Sequence, residues 1–242
     1  MFSILKKELN SYLSSLIGYL VITIFLTAIG LFVWVFPDSN VLDYGFADLS
    51  TLFSLSPYIF LFLIPAITMR TFAEEKKAGT IELLLTKPLT DWDIILGKYL
   101  SSLTLVVLAL LPTLIFYYTI YQLGNPRGNV DSAGVFGSYI GLVLLGAVFT
   151  AIGIFASSLS ENQIVSFVIA VFMCFLLYEG ISSLASLEVW GGGAYLVAEL
   201  GLVYHYNALS KGLIDSRNVL YFISVIAVML YSTKLILGSR KW

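Results

Sequence analysis

Charged residues are scarce in this sequence, and residues that could hold a metal ion or form disulfide bonds are almost absent. Asp, Glu, Lys and Arg account for 12% of the 242 residues, whereas roughly 25% is usual in a soluble domain. The single cysteine, Cys174, and the single histidine, His205, cannot form a disulfide framework, and without a partner chain they supply too few ligands for a zinc or haem site. These absences exclude a water-soluble fold and a disulfide-stabilised scaffold, and we assign Cys174 to packing.

Motifs and residues for energy conversion are also missing. No segment fits the phosphate-loop pattern G-x-x-x-x-G-K-[ST], so the chain has no such loop with which to hydrolyse a nucleotide. The apolar segments contain almost no ionisable residues, which proton- and sodium-driven transporters keep at membrane depth. The pair Ser157 and Ser158 lacks a matching buried His or Lys, which argues against a serine nucleophile. If this protein moves a substrate uphill, the energy must come from another subunit.

The sequence does contain six long segments without Asp, Glu, Lys or Arg. Hydrophobic residues make up 59% of the chain and aromatic residues 15%, which suits helices whose ends lie among lipid headgroups. A spanning helix needs about 20 mostly apolar residues. The predicted spans are about 16–36, 52–69, 99–121, 135–158, 163–180 and 218–237. The second span contains Pro57 and Pro65, which neighbouring helices can accommodate by bonding the freed backbone carbonyls.

Basic residues are distributed unevenly between the two sides that six spans define. The side of both termini carries ten, namely Lys6, Lys7, Arg70, Lys76, Lys77, Lys87, Lys98, Lys234, Arg240 and Lys241. The other side carries three, namely Arg127, Lys211 and Arg217. Because cytosolic segments of membrane proteins are enriched in Lys and Arg, we predict that both termini are cytosolic.

The segment before the first span has near-helical periodicity. Apolar residues alternate with Lys6, Lys7, Glu8 and Asn10, which predicts an amphipathic helix over 2–13 on the cytosolic membrane surface. A plain extension of the first span is the alternative. A signal peptide also begins with basic residues, but the long apolar stretch without a small-x-small cleavage site favours an uncleaved anchor.

The loop 70–98 contains signals for two short, capped helices. Thr80 can cap a helix with an apolar face, and Pro88 ends it. Thr90 then begins a second helix that continues into the third span, with Asp93 at the third position of a capping box. Two stiff pieces could carry a partner's displacement into the second and third spans. The alternative is an ordinary solvated connector.

Two stretches of the sequence resemble the signatures of one family. The first comprises Phe72, Glu74, Glu75, Lys76, Lys77, Gly79, Thr80, Ile81, Glu82, Leu83, Leu84, Leu85, Pro88, Gly97 and Lys98. The second comprises Tyr204, His205, Tyr206, Gly212, Ile214, Asp215, Arg217 and Val219. With six spans and an amphipathic start, they resemble ABC-2 type permeases over essentially the whole chain. Within that family, the length and the loop look most like the permeases of bacterial gliding-motility systems.

The resemblance implies an all-α membrane fold of the type V exporter kind, with residues 1–242 forming a single permease domain. Six transmembrane helices are expected, together with the amphipathic helix, a cytosolic coupling-helix loop over 70–98 and a short re-entrant outer hairpin over 181–216. The resemblance also implies that the chain lies in the bacterial cytoplasmic membrane.

The partners implied by the resemblance lie outside this chain. Two permeases, identical or related, would pair in the bilayer, and each loop would dock on an ATP-binding-cassette ATPase dimer that binds ATP and Mg²⁺. A subunit with a large extracytoplasmic domain is expected in gliding-motility systems. No cofactor in this chain and no nucleic-acid partner are expected. The implied ATPase-coupling residues are Phe72, Glu74, Glu75, Gly79, Thr80, Glu82, Leu85 and Pro88.

Two residues near the outer side are candidates for a gate. Glu179 lies at the outer end of the fifth charge-free segment, where it either caps the helix exit or contacts substrate. His205 is either a hydrogen-bonded interfacial residue or a pH sensor or metal ligand. The resemblance implies an outer lid or gate in this region.

Three functions compete at this stage. The leading hypothesis is a permease subunit, not itself an enzyme, that exports substrate or transmits force with ATP hydrolysed elsewhere. The second is an ATPase-driven scaffold that acts on an extracytoplasmic partner without carrying solute. The third, a lipid-modifying membrane enzyme, would need clustered carboxylates or histidines at one interface, and the sequence does not supply them.

Overall fold

A computed structural model of the chain describes residues 1–43, 45, 47–81, 89–187, 193–212 and 215–239, and no β-strand occurs in these ranges. The helices, numbered along the chain, are α1 (Phe2–Ser14), α2 (Leu16–Trp34), α3 (Ser50–Thr68), α4 (Arg70–Lys77), α5 (Asp91–Leu110), α6 (Leu114–Leu123), α7 (Ser132–Leu159), α8 (Gln163–Phe175), α9 (Ile181–Ala185), α10 (Ala194–Ala198), α11 (Leu202–Ser210) and α12 (Ser216–Gly238). A 3₁₀ turn (Leu111–Thr113) joins α5 to α6, and a π turn (Leu176–Gly180) joins α8 to α9.

Six helical stretches are long and apolar enough to cross a membrane, as the sequence predicts. They are Leu16–Trp34, Ser50–Lys77, Asp91–Leu123, Ser132–Leu159, Gln163–Ala185 and Ser216–Gly238. The second stretch includes α4 and the third begins at Asp91, so both are longer than the apolar segments that predict them. Helices continue past the hydrocarbon region, whereas hydropathy marks only the part inside it.

Helix α7 is the centre of the bundle. In its most apolar 18-residue window 78% of the residues are buried, whereas the figure for α12 is 17%. Helices α3, α5, α8, α11 and α12 all pack against α7. Glycines permit the close approaches: a Cβ on Gly153 would lie 1.9 Å from Thr68 Oγ1 of α3, and one on Gly137 would lie 2.3 Å from the carbonyl oxygen of Leu209 in α11. Small residues at such contacts let membrane helices approach closely.

The two prolines of α3 are accommodated within the bundle. Pro57 has no N–H for the carbonyl of Phe53, four residues earlier. The hydroxyl of Tyr206 in α11 donates to this oxygen at 2.7 Å. Near the second proline, Thr68 Oγ1 donates to the carbonyl of Ile64 at 2.9 Å. The expectation that a neighbouring helix bonds a carbonyl freed by proline is therefore confirmed at Pro57.

One end of the bundle is called here the basic end. It contains α1, α4, the first turns of α5 and the last turn of α7. Thr90 begins α5 with the predicted capping box, in which its side chain accepts from the Asp93 N–H and the Asp93 side chain accepts from the Thr90 N–H. The opposite end contains the start of α3, the start of α7 and the short helices α9, α10 and α11, none of which is long enough to span a bilayer.

The close approach of α7 to α11 generates a stability prediction. We expect Gly137→Ala to lower the free energy of unfolding by about 1–3 kcal/mol, because the new Cβ must displace the backbone of α11. The matched control is Gly30→Ala in α2, where the nearest atom, in Phe116, would lie 3.9 Å from the new Cβ. Unfolding in SDS, followed by circular dichroism, measures both variants. Equal stability of Gly137→Ala and the control would contradict the packing of α11 on α7.

Candidate functional site

A buried lysine joins three helices at the basic end. Lys98 in α5 has 1% of its side chain exposed, and its Nζ lies 2.9 Å from Glu75 Oε1 of α4 and 3.1 Å from Glu8 Oε1 of α1. It also donates to the carbonyl of Thr71 at 2.8 Å. An ammonium group has three N–H donors, so three acceptors satisfy it. The ring of Phe72, 5.2 Å from Nζ, adds a cation–π contact.

We call Lys98 and its partners Glu8, Glu75 and Thr71 the lysine junction. Each partner is needed, because removing a charge from water is expensive unless opposite charges and hydrogen bonds replace the solvent. The second oxygen of Glu75, Oε2, is buried and makes no hydrogen bond to any residue that the structure describes. It borders a small cavity of about 190 Å³ that Lys7, Glu74 and Arg70 also line. Glu75 therefore pairs with the buried Lys98 at 2.9 Å and with the exposed Lys7 at 3.8 Å, and both lysines line the same cavity.

Helix α1 reaches this junction by crossing α5 at a glycine. A Cβ on Gly97 would lie 2.9 Å from the Cβ of Ile4, so a larger residue would force α1 away. Tyr12 fixes the other end of α1, since its hydroxyl lies 3.3 Å from Ser102 Oγ. The adjacent Gly97 and Lys98 thus serve the same contact: the glycine makes room for α1, and the lysine binds Glu8 of α1.

Ser157 of α7 secures the break between α3 and α4. Its Oγ accepts the backbone N–H groups of Phe72 at 2.9 Å and Ala73 at 3.1 Å, and donates to the carbonyl of Met69 at 2.8 Å. The expectation that no buried lysine accompanies the pair Ser157 and Ser158 is wrong, because Lys76 is 6% exposed and its Nζ donates to the carbonyl of Ser158. These are backbone-fixing contacts, and they give Ser157 a structural role instead of a nucleophilic one.

The predicted coupling residues fall into different environments. Phe72 is buried and Glu75 is turned toward Lys98, whereas Glu74, Gly79 and Thr80 are exposed. Gly79 follows α4 with φ +67°, a left-handed conformation that only glycine adopts without strain. Glu82, Leu85 and Pro88, together with the rest of the predicted short helix, lie outside the described residues. The structure therefore brings Phe72 and Glu75 into the junction and leaves Glu74, Gly79 and Thr80 on its surface.

The two predicted gate residues lie at the opposite end. Glu179, in the π turn, accepts a hydrogen bond of 3.4 Å from the hydroxyl of Tyr58 in α3. His205 Nε2 donates to the carbonyl of Glu199 at 2.8 Å, and Nδ1 lies 2.7 Å from Asn218 Oδ1. The imidazole also stacks on Tyr221 of α12, with ring centroids 3.9 Å apart.

These contacts agree with a hydrogen-bonded His205 that joins α11 to α12. Within the described part of the chain, no three His, Cys, Asp or Glu side chains are close enough to hold a metal ion. Nearby, burial raises the pKa of Tyr206 well above its ordinary value, so its hydroxyl remains a donor to the Phe53 carbonyl at physiological pH.

Three residues of the basic end carry roles that the sequence does not reveal: Lys98, Glu8 and Ser157. Lys98 belongs to the recognised motif, but its partners are separated from it by 23 and 90 positions. The available signal is a lone cation at the boundary between the loop and the apolar part of the third span. Such a residue must find an opposite charge, and the nearest amphipathic helix contains one in Glu8.

The lysine junction predicts a large stability difference between two lysines at the same end. We expect Lys98→Met to destabilise the protein by about 3–5 kcal/mol, because it removes the buried cation from two partly buried carboxylates and leaves them only the exposed Lys7, whose Nζ lies 3.8 Å from each. The matched control, Lys77→Met, removes an exposed charge from the end of α4 and should cost less than about 1 kcal/mol. The midpoints of SDS unfolding compare the two variants. If both unfold like the wild type, the lysine is not holding the helices together.

Comparison with known proteins agrees with this architecture. Residues 3–190 match the family model described as ABC-2 family transporter protein. The probable multidrug ABC transporter permease YbhR of Escherichia coli strain K12 is 28% identical over 152 residues, and so is the protein of that name from Escherichia coli O157:H7. The matched region is 62% of this chain and 39% of each relative, so the chain spans about two fifths of the length of these curated relatives. Since the family match covers well over half of its residues, the chain belongs to the ABC-2 transporter family.

Proposed function

We propose that this chain is the permease subunit of an ABC exporter and that the basic end receives the motion of an ATPase. The observation that carries the proposal is the attachment of α4. The exposed residues Glu74, on α4, and Gly79 and Thr80, just after it, form a surface on a segment that is tied to α1 and α5 through Lys98 and to α7 through Ser157. Membership of the ABC-2 family supports an ATPase partner at this segment.

The contacts supply a route for force. Helix α4 continues directly from α3, so a displacement of its exposed face moves the second span. Lys98 transfers the same displacement to the third span, and Ser157 transfers it to the central helix α7. ATP and Mg²⁺ would be bound by the partner, and this chain contributes the docking surface, extended along the sequence by Glu82, Leu85 and Pro88.

The excess of basic residues at one end supports a definite orientation. With the ten-to-three distribution of Lys and Arg, α1, α4 and both termini face the cytosol of a bacterial cell, and Glu179 and His205 face outward from the cytoplasmic membrane. Helices α2, α8 and α12 are the least buried spans. Their free faces are available for lipid and for a second permease, identical or related, that completes the pathway.

Two forms of the proposed function differ in what the transporter does with the energy of ATP hydrolysis. The broader form is export of a substrate, supported by the name of the Escherichia coli relatives, which describes a probable multidrug transporter. The narrower form is a role in gliding motility with an extracytoplasmic subunit, supported only by the length of the chain and its loop motif. A force-transmitting scaffold without cargo is the competing function. Stimulation of ATPase activity by a transported compound distinguishes export from a scaffold.

The orientation of two adjacent glutamates generates a test of the docking surface. We expect Glu74→Lys to lower the permease-dependent ATPase activity of the co-purified complex by about tenfold, because a reversed charge at an interface repels a complementary partner. The matched control is Glu161→Lys, an exposed carboxylate in the α7–α8 loop at the same end. ATP hydrolysis in lipid nanodiscs and recovery of the ATPase in mild detergent are measured together.

Glu75→Lys should behave differently from Glu74→Lys. It places a cation against Lys98, so we expect loss of the folded protein in place of selective loss of coupling.

Wild-type ATPase coupling in Glu74→Lys would refute the assignment of the docking surface. An equal loss in Glu161→Lys would show that net charge, and not this surface, controls the partner.

A further inference from the structure

A cavity of about 580 Å³ lies at the end of the bundle opposite to the basic end. Its wall is formed by the first turns of α3 and α7, the π turn after α8, and α11. The volume falls within the range of about 300–1,000 Å³ that is usual for small-molecule sites. Tyr58, which is 46% exposed on α3, lies at its border. The cavity is therefore large enough for an organic molecule and adjoins the outer surface of the helix bundle at Tyr58.

The charge of the cavity is negative. Asp48, Asp131 and Glu179 line it, and no Lys, Arg or His is found among its described lining residues. None of the three carboxylates forms an ion pair with a residue in the described ranges. Asp48 and Asp131 accept backbone N–H groups at the starts of α3 and α7, at 3.0 Å each. Their hydrogen bonds are satisfied locally, but their combined charge is not balanced.

A second observation concerns a tyrosine in the same wall. Tyr178 is 4% exposed and lines the cavity beside Glu179. Its ring is held edge-on between Tyr58, with centroids 5.8 Å apart, and Phe149, at 6.1 Å. Among the residues that the structure describes, none forms a hydrogen bond with the Tyr178 hydroxyl. This oxygen is not among the fully buried, unpartnered atoms of the described residues, so it reaches the cavity and can bond an occupant.

These features select the chemistry of the occupant. The described carboxylates do not form a group that could hold a metal ion, whereas an organic cation needs only one of them as its direct partner. A protonated amine supplies the positive charge, N–H donors for Tyr178 and Glu179, and a cation for the rings of Tyr58 and Tyr178. The apolar part of the wall, with Phe53, Val135 and Val203, suits an attached hydrocarbon chain.

We propose that this outer cavity binds the protonated amine of an amphiphile, with its ammonium group between Glu179 and Tyr178. The inference rests on the proposed function, since it names the substrate class of the exporter. The same chemistry is offered by a free long-chain amine and by the headgroup of an amine-bearing lipid. The experiment below distinguishes the free amine from the lipid headgroup.

Binding of decylammonium to the full chain in phosphatidylcholine nanodiscs tests the proposal. Decyl sulfate, with the same tail and the opposite charge, is the matched probe, and empty nanodiscs correct for partition into lipid. We expect saturable binding of the amine alone. Glu179→Gln should weaken it by about tenfold, as expected for loss of one partly desolvated charge contact, and Tyr178→Phe by about threefold through loss of one hydrogen bond.

The control variant is Asp215→Asn, which neutralises an outer carboxylate that does not line the cavity and preserves a side-chain oxygen for the cap of α12. It should bind decylammonium as the wild type does. Phosphatidylethanolamine added to the nanodiscs identifies the source: competition with decylammonium indicates a lipid headgroup, and its absence indicates a free amine. Both results support the shared chemistry.

Equal binding of decyl sulfate, or unchanged binding in both Glu179→Gln and Tyr178→Phe, would overturn the inference. Because binding is measured on the permease without ATPase, the result is separate from the Glu74 experiment. Normal coupling without amine binding rejects this substrate class alone. Amine binding without coupling rejects the proposed function and leaves the binding site.

Discussion

The ammonium group of Lys98 imposes the strongest constraint on the basic end of the molecule. A lysine with 1% exposure requires compensation, and it receives two carboxylates and one carbonyl from three different segments. Glu8 must therefore be brought in by α1 and Glu75 by α4, so neither helix can drift independently of α5. Gly97 has no side chain to separate α1 from α5. The adjacent residues Gly97 and Lys98 therefore determine how closely the two helices cross and which charge α5 presents to Glu8.

The membrane-embedded part obeys a different constraint, since lipid offers no partner for a free backbone group. Proline in α3 frees the carbonyl of Phe53, and Tyr206 from α11 bonds it. Ser157 performs the related task where α3 gives way to α4. These side chains lie on helices that pack closely because α7 presents glycines to its neighbours. The close packing of helices around α7 is therefore also what brings these side chains within hydrogen-bonding distance of the free backbone groups.

The parts of this fold that follow from the sequence are those that depend on neighbouring residues. Six spans and the Thr90–Asp93 capping box depend on residues that are close together in the chain. Glu74 and Glu75 show where such reasoning ends: they are adjacent in sequence and share one predicted role, yet about 100° of helix rotation separates them. Which of the two turns inward is decided by Lys98 and α1, which are distant in sequence. The cavity at the opposite end likewise needs four separate segments, so only its individual residue Glu179 was a candidate beforehand.

Helix α3 links both ends of the molecule in the proposed mechanism. Its last turn adjoins α4 and the lysine junction, and its first turns supply Phe53 and Tyr58 to the outer cavity. A displacement of α4 reaches the cavity wall through α3, in which Pro57 leaves the Phe53 carbonyl without a backbone donor and the Tyr206 hydroxyl bonds it instead. That hydrogen bond joins α3 to α11, which is itself part of the wall. Motion received at the basic end must therefore move α3 and α11 together or break the bond between them, and either outcome changes the shape of the cavity.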